Sequence, residues 1–93
     1  MKGEKIVKEI NDMKENKFES LLKRIGCGLS HLRIHKGYET IKHFARDHNL
    51  PLIQYWRIEK GRANVTLKSL LTLLAIHEVN LEDFFSLIRA RCY

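Results

Sequence analysis

Few residues in this chain have the types and spacing to do chemistry. Cys27, His31 and His35 recur at intervals of four, which puts side chains on one face of a helix, and thiolate and imidazole are donors that zinc accepts. Residues eight apart on a straight helix are separated by roughly 12 Å, at about 1.5 Å per residue, so one ion cannot meet all three. His31 and His35 alone would bind zinc weakly, and with no further ligand visible the chain is expected to carry no metal. Cys92 is the second of two cysteines. The two are too few and too far apart for the disulfide framework of a small secreted domain, so a reducing cytoplasm is expected, with Cys92 a free thiol on a mobile end. His48 is read either as a hydrogen-bonded histidine at the edge of the core or as a pH sensor.

The chain shows no nucleophile and base at recognisable spacing, no glycine-rich phosphate loop and no paired carboxylates in apolar surroundings. A chain of 93 residues also leaves little volume for a substrate pocket. The expectation is a protein that is not an enzyme and takes no cofactor or small-molecule ligand.

Charge is more informative. The formal net charge is +6 and the isoelectric point near 9.6, a balance that points first to a polyanion such as nucleic acid. Residues 1–17 carry five basic and four acidic side chains, residues 18–64 nine and four, and residues 65–93 three and three. The excess therefore sits in the middle of the chain. The longest apolar stretch, Leu70 to Ile76, is broken by Thr72 and is too short to span a bilayer, and the amino-terminal region lacks the apolar core of a signal peptide.

These residues require elements to position them, and the apolar spacing is helical throughout. Residues 1–17, with Ile6, Val7, Ile10 and Met13 among Lys and Glu, form an extension that is either a marginal helix or a mobile arm, able to lie along a DNA backbone. Residues 18–93 form one domain, all-α. Its first helix covers Phe18 to Lys36 and is expected to break near Gly26 and Gly28, each glycine costing about 1 kcal/mol relative to Ala. Gly37 ends it in the left-handed conformation. Thr40 caps a second helix to His48, ended by Asn49. Pro51 excludes the helical conformation at Leu50 and starts a third helix over 51–60, closed by Gly61. Thr66 caps a fourth helix, with Leu67, Leu70, Leu71, Leu74 and Ile76, and Asn80 a fifth from Leu81 to about Ile88, where Asp83 answers the cap.

The segment Phe44 to Gly61, FARDHNLPLIQYWRIEKG, reads as two short helices joined by a tight turn, with tiny Ala45 where they must approach closely. Leu50, Tyr55 and Ile58 face inward, which leaves Leu52, Ile53, Trp56, Arg57 and Lys60 outside. With Arg57-Ile58-Glu59-Lys60-Gly61, then Asn64-Val65-Thr66-Leu67, Leu70-Leu71 and Leu81-Glu82-Asp83-Phe84-Phe85, this ordered set resembles the phage-repressor family of helix-turn-helix regulators, the lambda and 434 repressor and Cro type. The resemblance covers Ile25 to Phe85, about two thirds of the chain.

It implies a compact five-helix repressor-like fold with a helix-turn-helix, in a cytoplasmic, bacterial or phage-derived transcriptional regulator. Its third helix would enter the major groove of double-stranded DNA as part of a homodimer. By the same resemblance Leu52, Ile53 and Arg57 face bases with Trp56 beside them, while Thr40, Ile41, Lys60, Arg62 and Asn64 meet phosphates. Arg33 is implied to pair with Glu59 and so pin the reading helix. The chain departs from the family at Leu52, Ile53 and Ile41, where hydrogen-bonding side chains are usual. Leucine and isoleucine touch thymine methyls but read no donor and acceptor pattern, so specificity would rest on Arg57 and on DNA shape. The alternative is a protein-interaction module that keeps the fold and binds a partner through the apolar Leu52, Ile53 and Trp56. Phe85, Leu87 and Ile88 exceed what one core-facing stripe needs and are assigned to an isologous dimer interface.

Overall fold

A computed structural model describes the backbone of residues 2–93 and the side chains of residues 16–93. The described residues form five helices, α1 Lys2–His35, α2 Ile41–Asp47, α3 Leu52–Glu59, α4 Leu67–Ile76 and α5 Leu81–Arg91, and no strand. The apolar stripe Ile6, Val7, Ile10 and Met13 lies outside the residues whose side chains are described.

The break expected at Gly26 and Gly28 does not occur, because α1 runs through both without interruption. Both glycines are notches into which other elements fit. A Cβ on Gly26 would run into the Glu59 carbonyl oxygen and come within 2.9 Å of the Ile58 carbonyl oxygen; one on Gly28 would meet the Phe84 ring at 2.8 Å and Ile88 at 3.0 Å. The helical cost of each glycine is offset by the burial that this close approach of α3 and α5 permits. α1 also passes residue 17 unbroken, so the backbone of the extension belongs to the same helix as the first helix of the domain.

Four helices end alike. After each, a residue with positive φ reverses the chain: Gly37 at 104°, Asn49 at 55°, Gly61 at 69° and Glu78 at 56°. The following amide then donates back to the last turn, as Tyr38 to Arg33 at 3.1 Å, Leu50 to Ala45 at 2.8 Å, Arg62 to Arg57 at 2.8 Å and Val79 to Leu74 at 3.2 Å. These bonds satisfy carbonyls that a helix end otherwise leaves open. Thr40, Thr66 and Asn80 cap α2, α4 and α5 by accepting from the amides of His43, Ser69 and Asp83 at 3.1, 3.0 and 2.8 Å.

Between the helices lies one apolar cluster built on Leu29, Phe44, Leu74, Phe84 and Ile88, none more than 1% exposed. Ile88, assigned to a dimer interface, is therefore a core residue. α5 runs to Arg91, beyond the expected end at Ile88, and Ile88 falls on the face turned to Gly28 of α1. Cys92 is also corrected: it is buried and joined to Cys27 in a disulfide, not a free thiol on a mobile end. The packing of α5 on α1 joins two residues that lie 65 apart in sequence.

Candidate nucleic-acid interface

α3 is held from three sides. Its start is set by the turn from α2, where Asn49 takes the left-handed conformation and Pro51, extended at ψ 118°, occupies the N-cap without a side-chain hydrogen bond. Ala45 is 1% exposed, which lets α2 and α3 close on each other. Tyr55 and Ile58 bury the inner face of α3, with Leu50 half-buried beside them.

The far end of α3 is clamped by charge. Arg33 Nη2 and Nε donate to Glu59 Oε1 at 2.8 and 3.0 Å, and Nε also reaches Oε2 at 3.2 Å. The guanidinium further donates to the Tyr38 carbonyl at 2.7 Å and to Ser30 Oγ at 3.4 Å. Both side chains are almost fully buried, 7% and 3% exposed, a setting in which a forked, hydrogen-bonded pair fixes orientation as well as energy. Gly26 and Gly61 let the end of α3 lie directly on α1, a Cβ at Gly61 coming within 2.7 Å of the Lys23 Cα. Burial, and then the nearby Glu59 carboxylate, push the Tyr55 phenol well above its ordinary range, although its hydroxyl makes no hydrogen bond of good geometry.

This clamp shapes the outer surface. The only carboxylate of α3 is turned inward against Arg33, so Arg57, Lys60 and Arg62 stand exposed without an acidic neighbour on that helix. Among them Ile53 is 71% exposed, and Leu52 and Trp56 are also outside. The Arg62 guanidinium lies over the Trp56 ring at 5.3 Å from its centroid, a cation-π arrangement that folds the loop charge onto the α3 face. Arg57 donates to the Arg62 carbonyl at 3.1 Å, so this side chain braces the loop through one of its five N–H donors.

Leu52, Ile53, Trp56, Arg57 and Arg62 thus come together, with Ile41 and Lys42 of α2, around a shallow, mainly apolar cleft of about 550 Å³. Lys60 and Asn64 are exposed outside it. Lys42 was not singled out from the sequence; its signal was a basic residue in the first turn of a helix that carries no acid there. Ile41, implied as a phosphate contact, is half-buried against the core, so only its backbone remains for such a contact. Thr40 is exposed, and its hydroxyl caps α2. In α5, Phe85 is 39% exposed and Leu87 half-buried.

Three histidines pack on Tyr38 or Phe44. His43 meets Asp47 at 3.4 Å within α2. His48 packs on Phe44 at 4.7 Å, but its Nε2 is buried without a hydrogen-bond partner, contrary to the hydrogen-bonded state expected for it. His77 stacks on the same ring at 5.3 Å and 4°, and burial, assisted by Lys36 and His48, lowers its pKa to about 4. Asp47 accepts from the Tyr38 hydroxyl at 3.0 Å, a bond that holds that phenol above its ordinary value.

Comparisons of the chain with family models, with curated proteins and with solved structures find no match. Among the described residues no helix is long and apolar enough to cross a membrane.

Proposed function

We propose that the chain is a sequence-specific duplex-DNA-binding transcriptional regulator of the phage-repressor type, in which α2 and α3 form the helix-turn-helix and α3 reads the major groove. The observation that carries this reading is the outward face of α3, anchored at both ends, with its one carboxylate buried and its cations exposed beside apolar side chains. Arg57 is the side chain able to read a guanine edge. Leu52 and Ile53 suit thymine methyls. Lys42, Lys60 and Arg62 supply charge for phosphates, and two copies joined through Phe85 and Leu87 would set two reading helices about one DNA turn, roughly 34 Å, apart.

Selection of bound sequences from random duplex DNA tests binding, specificity and two-fold symmetry together. Affinity for the selected duplex is expected to fall with salt at a log–log slope of roughly −0.9 per phosphate contact, so Lys60→Ala and Arg62→Ala should each reduce the slope by about 1. The apolar cleft of Ile41, Leu52, Ile53 and Trp56 favours a second reading, in which this face grips a protein partner. Absence of binding to any duplex at low salt would select that reading.

A further inference from the structure

Beside the disulfide that joins α1 to the end of α5 lies a third donor that the nucleic-acid reading does not use. Cys27 and His31 are one helical turn apart on α1, and Cys92 at the C-cap of α5 is brought beside them by the packing at Gly28. Arg24 Nε fixes this end of α5 by donating to the Cys92 carbonyl at 3.1 Å. Both sulfurs and a ring nitrogen of His31 lie within 4.8 Å of one another, and the Cα atoms of the two cysteines are 6.0 Å apart. Tetrahedral zinc, with bonds of about 2.3 Å to sulfur and 2.0–2.1 Å to nitrogen, needs donors roughly 3.3–3.8 Å from each other. Breaking the S–S bond frees the two sulfurs to move apart toward that spacing, between Cα atoms 6.0 Å from each other. His35, the third residue of the helical series, is not part of the cluster.

We infer that the dithiol form of this chain binds a thiophilic cation of the zinc class through Cys27, Cys92 and His31, with the fourth position open to water. The disulfide itself offers no thiolate to a metal. Two thiols of a small reductant pass two electrons and two protons to the S–S bond, which breaks to give two cysteine thiols while the reductant becomes its own disulfide. On binding, each cysteine releases its proton to solvent and gives a sulfur electron pair to the cation, and neutral His31 gives its ring lone pair. Two thiolates balance the divalent charge. Lys23, Arg24 and Arg91 line the adjacent cleft and favour the thiolate forms. Two sulfur donors select zinc over magnesium, calcium or manganese. Disulfide and metal would thus tie α5 to α1 at the same point, so the tether would persist when the bond is reduced.

The test titrates the full chain with Co²⁺, a spectroscopic stand-in for zinc, after reduction by a phosphine, which becomes the phosphine oxide by taking up the oxygen of water. One equivalent should saturate an intense thiolate-to-cobalt absorption, and zinc should abolish it by displacement. His31 is exposed, so His31→Ala leaves the fold intact. It should weaken binding by more than the roughly 10–100-fold that loss of a mere supporting partner costs. His35→Ala should have no effect, and the oxidised chain should give no thiolate band. Saturation at half an equivalent, uptake without a thiolate band, or unchanged affinity in His31→Ala would each overturn the assignment.

Discussion

Replacing Glu59 by leucine leaves the Arg33 guanidinium buried, with only the Tyr38 carbonyl and Ser30 hydroxyl to accept from it. Three of its hydrogen bonds run to the carboxylate, and the two side chains are 7% and 3% exposed, so solvent cannot replace the lost charge. Stranding one member of such a pair costs about 3–5 kcal/mol, a large share of the roughly 5–15 kcal/mol that holds a domain folded. With a urea dependence of about 1–3 kcal/mol/M for a small protein, the midpoint should fall by roughly 1–5 M. Urea unfolding followed by circular dichroism on the disulfide-bonded chain measures this directly. Arg33→Met combined with Glu59→Leu removes both charges and should recover much of the loss, short of what the orphaned Tyr38 carbonyl costs. A double-mutant coupling below about 1 kcal/mol, the range of exposed pairs, would refute the argument that this clamp is buried and orients α3.

Gly26→Ala places a methyl group against the Glu59 and Ile58 carbonyls, so it should destabilise by about 1–3 kcal/mol despite alanine's better helix propensity, and a gain in thermal midpoint would contradict the notch. Reducing the disulfide in the presence of a chelator opens a cross-link spanning 65 residues, which the chain-entropy treatment values at about 4 kcal/mol; a urea midpoint unchanged by reduction would disprove that contribution. His77 has a folded pKa lowered to about 4 from 6.5, so its stabilising effect is complete above about 6.5 and is lost as the unfolded state takes up a proton between about 6.5 and 4. Its partial exposure reduces the expected loss to about 1–2 kcal/mol, and His77→Phe should flatten stability against pH in that window.

The positions where the chain turns were legible in the sequence because their causes are local. Gly37, Asn49 and Gly61 reverse the chain, and Thr40, Thr66 and Asn80 cap helices, through bonds that reach no more than five residues. The outward placement of Leu52, Ile53, Trp56, Arg57 and Lys60 follows from the helical period alone. Glu78 was missed as a turning point, since a glutamate carries no signal for positive φ. The pairing of Arg33 with Glu59 came from resemblance, as nothing in the spacing of residues 26 apart implies contact.

What only the tertiary structure decided depended on which helix lies against which. Local propensity counts each glycine in α1 as a cost and cannot see α3 and α5 entering the notches at Gly26 and Gly28. The same packing turns Ile88 inward and draws Leu87 partly against the core, leaving Phe85 as the exposed large apolar residue of α5, and carries Cys92 to Cys27. Ile41 is drawn against the core by contacts formed only once α2 is packed in place. Composition and spacing determine how each segment coils and ends, but burial is a property of pairs of surfaces, and the partner of a surface is set by the whole chain.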